Sequence, residues 1–144
     1  MIVERYSEKY VHDIVGLVRA FQDESLKEYG VKFNTSALAK TMEELKDGAF
    51  LLIKDSNCVG ILAGKDAQTP ISTELIWQEV IWYVAERYRR YGVYFLKHAR
   101  KVLKDAGYTQ MVMVTMHNSK TQKLFDLYGR LGFVPMETHF LGRL

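Results

Sequence analysis

The chain has 144 residues, 48% hydrophobic and 26% charged, with a formal charge of +3. That length suits a single domain, 1–144, with a sizeable core, and so mild a charge argues against a dedicated nucleic-acid binder while slightly favouring an anionic ligand. No apolar run reaches the ~18 residues of a membrane span, no charged-then-apolar leader opens the sequence, and the single cysteine, Cys58, excludes an internal disulfide. A reducing, cytoplasmic setting is therefore expected.

In chain order, residues 1–6 read as a first strand. Tyr10, Ile14, Leu17, Val18 and Phe21 fall on one helical face and predict a helix over 10–22. Residues 23–33 are polar, contain Gly30 and read as a loop. Thr35 or Ser36 can cap a second helix that buries Leu38, Met42 and Leu45 and ends at Asp47-Gly48. Residues 49–54 and 58–65 read as a strand pair joined by the turn Asp55-Ser56-Asn57. Gly60 and Gly64 mark a bulge or close packing in the second of them. Residues 66–73 form a loop around Pro70.

The stretch from Leu75 to Gly107 organises the chain. Residues 75–84 crowd β-branched and aromatic side chains without a helical stripe, so they read as a buried strand. The polar stretch Arg87-Tyr88-Arg89-Arg90-Tyr91-Gly92 follows. Phe95, Leu96, Ala99, Val102, Leu103 and Ala106 then recur at helical spacing, with Gly107 as the stop. A strand that turns through glycine into a helix presents backbone N–H groups and the positive end of the helix dipole, a phosphate site. Three arginines at the turn add matching charge. The plainer reading makes residues 84–91 a short helix, with Glu86 and Arg90 paired and Gly92 as its C-cap.

A strand over 110–116 comes next. Ser119-Lys120-Thr121-Gln122 has the capping-box pattern, and Leu124, Phe125, Tyr128 and Leu131 line the helix it would start. Two final strands are expected at 133–134 and 138–144. The order β-α-α-β-β-β-α-β-α-β-β predicts an α/β (α+β) domain, a mixed, mostly antiparallel sheet flanked by about four helices. The four histidines, at 12, 98, 117 and 139, lack metal-ligand spacing, so no metal site is expected. Cys58 reads as a buried or incidental thiol.

Two motifs in register, Arg89-Arg90-Tyr91-Gly92-Val93-Tyr94 and Asn118 with Tyr128-Gly129-Arg130-Leu131-Gly132-Phe133, resemble those of the GNAT superfamily of acyl-CoA-dependent N-acetyltransferases. The first is similar to the family's pyrophosphate loop; Tyr94 departs from the small residue usual at that place and must point away from the cofactor or shift the loop. In the second, Asn118 follows a strand. The resemblance covers roughly residues 75–135 and implies acetyl-CoA as cosubstrate. It implies that the amides of Arg90, Tyr91, Gly92, Val93 and Tyr94 hold the pyrophosphate, and that the backbone of Trp82, Tyr83 and Val84 pairs with the pantetheine arm. Arg89 and Asn118 complete the implied cofactor contacts.

The implied reaction is direct attack of a neutral primary amine on the acetyl carbonyl, with a backbone N–H near Tyr83 or Val84 stabilising the oxyanion. Tyr128, with an ordinary pKa of ~10, is the implied acid for the departing thiolate. Glu79, the only carboxylate inside the organising strand, is the candidate base. Strict alternation puts it on one face with Trp77, Ile81 and Tyr83 unless a bulge intervenes. The acceptor is a small-molecule or protein amine; residues 23–34 and the end of the chain are expected to build its site, with Tyr29, Phe33, Trp77 and Trp82 as candidate lining. A membrane partner is not expected, and a homodimer stays open. The rival readings are a non-catalytic or non-acetyl acyl-CoA-binding domain, and a phosphate or nucleic-acid module using Arg87, Arg89, Arg90, Lys97, Arg100 and Lys101.

Overall fold

The computed structural model describes residues 1–67, 71, 73–116, 118 and 120–144. It divides into two compact units, Met1–Val114 and Thr115–Leu144.

The first unit is built on a five-stranded sheet in the order β1-β2-β3-β4-β5. The strands are β1 (Ile2–Arg5), β2 (Ala49–Lys54), β3 (Asn57–Asp66), β4 (Ile76–Val84) and β5 (Gln110–Val112). β1 to β4 pair antiparallel, and β5 joins β4 in parallel. Three helices belong to this unit: α1 (Val11–Phe21), α2 (Thr35–Leu45) and α3 (Gly92–Asp105). With α4 (Thr121–Arg130) of the second unit, the expected mixed sheet with four helices is present among the described residues.

Alternation along the strands sorts the core into two layers. On one face Leu51, Ile53, Ile61, Ala63, Ile81 and Tyr83 pack with α1, through Ile14, Leu17 and Val18, and with α2, through Leu38, Met42 and Leu45. Phe50, Leu52 and Leu62 alternate to the opposite face and are fully buried. α3 is the crossover between the parallel strands and buries Phe95, Leu96 and Ala99 completely. The turn of the β2–β3 hairpin has two residues, Asp55 and Ser56, both at positive φ (49° and 65°), the handedness that matches strand twist. The glycine signals in β3 mark what was expected of them. Bulges interrupt pairing beside Gly60 and Gly64. A Cβ on Gly64 would collide with the Gln78 carbonyl and the Trp77 ring.

Several boundaries differ from the sequence reading. Asn34, not Thr35 or Ser36, caps α2, its Oδ1 accepting from the Ala37 amide at 2.9 Å; Thr35 is already helical. Residues 23–33 are not a plain loop. α1 runs on into a π-helical turn (Gln22–Leu26) and a 3-10 helix (Lys27–Tyr29), and Gly30 at φ 74° then turns the chain. β5 stops at Val112, short of the expected residue 116.

In the second unit α4 starts at Thr121 with no side-chain cap. Gln122 does not close a capping box; its amide donates to Asp126 at 2.9 Å. Ser119, the expected cap, lies outside the described residues, as do Pro70 of the loop after β3 and His117. Phe125 is exposed rather than lining a core. Residues 131–144 contain no strand among the described residues, against the expectation of two. Pro135 has no amide hydrogen to give a ladder, and Val134, Met136, Phe140 and Leu141 stand exposed. Among the described residues no helix is long and apolar enough to cross a membrane.

Candidate active site

β4 and β5 pair only from Ile76–Gln78 to Gln110–Val112. From Glu79 to Val84, β4 therefore has a strand neighbour on the β3 side alone among the described residues. A strand edge without a neighbouring strand can offer backbone donors and acceptors to whatever enters.

The register of β3 against β4 decides where Glu79 points. Ala63 pairs with Ile81 and Gly64 with Glu79, so Val80 is skipped as a bulge. The extra residue reverses the alternation. Glu79 then shares its face with Trp77, Trp82 and Val84, opposite Asp66, Leu62 and Gly60 in the register, while Ile81 and Tyr83 belong to the α1 face. The expected grouping of Glu79 with Ile81 and Tyr83 is broken by the bulge.

Glu79 is 8% exposed, and its Oε2 accepts from the Val114 amide at 2.8 Å. Burial pushes its pKa from 4.5 up to about 7, against the opposing pull of the Val114 hydrogen bond. A carboxyl that changes charge near neutrality suits proton transfer.

Beyond Val84 the chain enters a 3-10 helix, Glu86–Tyr91, that runs directly into α3. This agrees with the short-helix reading of the turn, but Gly92 is no left-handed cap: its φ of −58° and ψ of −41° are helical. Of the five amides expected to face phosphate, that of Gly92 donates to the Arg89 carbonyl. The first turn of α3 has neither a side-chain cap nor an acidic residue. A Cβ on Gly92 would meet only Trp82 Cζ2, at 3.8 Å. Neither backbone conformation nor internal packing therefore demands glycine at this position; it leaves open the space a ligand would approach. The Tyr94 ring lies 6.3 Å from that of His98, one turn further along α3, and is exposed. It extends along the helix, consistent with the first of the two ways the departure can be accommodated. The Arg90 guanidinium rests 4.9 Å from the Tyr91 ring and donates to its hydroxyl at 3.1 Å. Arg89 turns to Glu24, with 2.6 Å from Nη2 to Oε2.

The other two expected site residues belong to the second unit. Asn118 is a turn residue: its Oδ1 accepts from the Lys120 amide at 2.9 Å, and its own amide donates to Thr121 Oγ1 at 2.8 Å. Tyr128 is buried, with its ring 5.5 Å from Phe133. The Tyr-x-x-x-Gly-Phe pattern has a local physical cause. Gly132 at φ 85° ends α4, and the Phe133 amide donates back to the Tyr128 carbonyl at 2.9 Å. That is a Schellman cap with its accompanying apolar contact. α3 ends the same way, with Gly107 at φ 97° and the Tyr108 amide on Leu103.

Sequence reasoning missed two features. The Val114 amide on Glu79 carries no side-chain signal. Glu24, which accepts from the Tyr83 hydroxyl at 2.7 Å, sits in a stretch read as loop. Together with burial it pushes the Tyr83 pKa up to about 12, burial being the larger cause.

No protein-family model matches the chain, and no curated protein sequence matches it. Solved structures do. A ribosomal-protein-alanine N-acetyltransferase from Brucella melitensis biovar Abortus 2308 superposes with a TM-score of 0.77 at 13% identity, covering 99% of this chain and 98% of its own. A transcriptional regulator from Bacillus halodurans C-125 gives 0.77 at 12% identity, covering 99% of both chains. An aminoglycoside acetyltransferase from an uncultured soil metagenomic sample, in complex with sisomicin, gives 0.73 at 14% identity, covering 99% and 95%. At such identities the likeness is one of fold. The mixed five-stranded sheet with its helices and these full-length superpositions together show that the chain has the GNAT fold.

Proposed function

We propose that the chain is an N-acetyltransferase that moves an acetyl group from acetyl-CoA to a primary amine in the cytoplasm. The observation that carries this reading is the end of β4, from the buried Glu79 to Val84, which has no strand on its β5 side among the described residues and leads to the Gly92 start of α3. Bound acetyl-CoA would supply the activated thioester. The first turn of α3 and Arg90 suit its pyrophosphate, and the backbone of Trp82, Tyr83 and Val84, beyond the end of β5, suits an extended amide-bearing arm. Asn118 stays in the proposal on its motif alone.

In the reaction the amine nitrogen bonds to the acetyl carbon, the carbon–sulfur bond breaks, and the nitrogen gives up a proton while the sulfur takes one. Glu79 is the proposed proton acceptor. It lies about three extended residues, roughly 10 Å, from Trp82, so the proton would reach it through a chain of waters. Tyr128 is the proposed donor to sulfur, on the strength of the Asn118…Tyr128…Phe133 pattern. Two of the fold neighbours are by name transferases to amines, a protein alanine and an aminoglycoside, which supports an amine acceptor without choosing between protein and small molecule.

A thermal-shift screen against acetyl-CoA and CoA, followed by an amine panel read by free thiol release, tests the proposal. Stabilisation by both nucleotides and thiol release that depends on an added amine are expected. No shift with either nucleotide would refute it.

A further inference from the structure

α1 does not stop at Phe21 but widens into the π-helical turn Gln22–Leu26, in which the Lys27 amide reaches back to the Gln22 carbonyl. Such turns are rare and recur at functional sites. This one is built into the fold: Gln22 is buried, its side-chain amide donates to the Val31 carbonyl, and the Arg19 guanidinium lies 4.5 Å from the Phe33 ring.

Glu24, in the middle of the turn, divides its carboxylate between two partners at the far end of β4. Oε1 accepts from the Tyr83 hydroxyl at 2.7 Å, and Oε2 from Arg89 Nη2 at 2.6 Å. Arg89 also donates from Nε to the Val84 carbonyl at 3.2 Å, and its guanidinium carbon stands 5.7 Å from the Tyr83 ring. Phe21 packs edge-on to the same ring at 6.4 Å. One carboxylate and one guanidinium thus tie together the wide turn, the last two residues of β4 and the 3-10 helix leading to Gly92.

We infer that Glu24 and Arg89 are positioning residues for the amine acceptor. They hold residues 22–29 against the end of β4, and Arg89 serves as a strut instead of a phosphate ligand. The inference rests on the acetyltransferase reading. Its physical ground is charge. Glu24 neutralises Arg89, and an anion approaching that pair meets a carboxylate as well as a guanidinium. Arg90, seated on a neutral tyrosine ring, keeps its charge for phosphate. Arg89 is also fixed by two bonds of its fork, a geometry that lysine cannot reproduce.

The test uses Glu24→Gln and Arg89→Lys in the full chain. Acetyl-CoA affinity by calorimetry should change by the same small amount in both variants, and by less than the amine kinetics. kcat/KM for the amine should fall by roughly tenfold or more in each, the scale of a misplaced reacting group. The double variant should lose little beyond either single one, because both remove the same tie. The Arg89 Nε–H, held on Val84, should give a protected NMR signal that becomes exchangeable in Glu24→Gln. Arg89→Lys weakening acetyl-CoA binding tenfold while Glu24→Gln leaves it intact would make Arg89 a phosphate ligand and overturn the inference. Unaltered amine kinetics, or an Nε–H signal indifferent to Glu24, in a protein that binds acetyl-CoA would overturn it too. A wild type that does not bind acetyl-CoA would instead remove the acetyltransferase reading itself, and with it the acceptor role.

Discussion

Replacing Glu79 by glutamine removes a proton-binding group and keeps an oxygen that the Val114 amide can use. In the folded chain the Glu79 pKa stands at about 7 instead of 4.5, mainly through burial. At ~1.4 kcal/mol per pH unit, that difference is worth about 3 kcal/mol. The sign follows from linkage. Below about pH 4.5 the carboxyl is protonated in both folded and unfolded chains, and its contribution to stability is complete. As pH rises towards about 7 the unfolded chain releases the proton while the folded chain retains it, so stability falls; above about 7 the full loss is present. Glutamine has no such proton, and the other titrating groups cancel in the difference between the two proteins. Urea denaturation of wild type and Glu79→Gln, from about pH 4 to about pH 8, should therefore show the variant gaining about 3 kcal/mol relative to wild type. A difference that does not change with pH would refute the raised pKa of this buried carboxyl. The same titration should appear in catalysis as a rise in wild-type turnover through an apparent pKa near 7, absent from the variant.

Three further outcomes follow from particular contacts. Ser56 holds φ 65° in the β2–β3 turn, so Ser56→Gly should raise the urea midpoint by the equivalent of about 1 kcal/mol. Gly64→Ala would drive a Cβ into the Gln78 carbonyl and the Trp77 ring; a backbone carbonyl cannot swing aside, and a loss at or above the ~1–3 kcal/mol of ordinary overpacking is expected in the same assay. Tyr128→Phe keeps the ring that packs on Phe133 and removes the hydroxyl. At saturating amine its turnover should fall roughly 10²–10⁴-fold, with acetyl-CoA affinity little changed, whereas a purely structural tyrosine would lose stability and keep its activity per folded molecule.

Elements whose signal lies in side-chain pattern were legible in the sequence. The α1 and α2 stripes, the β2–β3 hairpin and the Gly107 stop all rest on spacing or on a residue type that a conformation requires. The Tyr128-to-Phe133 stretch was legible as a motif, and the structure supplies its cause in a helix cap. What depended on backbone register was not legible. The bulge at Val80 that turns Glu79 towards Trp82 is marked only on the facing strand, by Gly64, because valine suits a regular strand equally well; nothing in β4 itself says on which side of it the register shifts. The wide turn at Gln22–Leu26 was hidden because its residues are polar and read as loop, although they continue the helix. The final strands expected after Phe133 illustrate the opposite error. Alternating apolar residues suit a strand, but a strand forms only where another edge accepts its hydrogen bonds.

The account stands most directly on Gly92. Its helical φ and the open space above it would admit a side chain, and Gly92→Glu would fill that space with a negative charge while the fold tolerates the substitution. Titration calorimetry of acetyl-CoA into wild type and Gly92→Glu, with circular dichroism to confirm folding, is the decisive measurement. Binding to wild type and none to the folded variant is the result predicted; equal affinity in both, or no binding to the wild type, would contradict it.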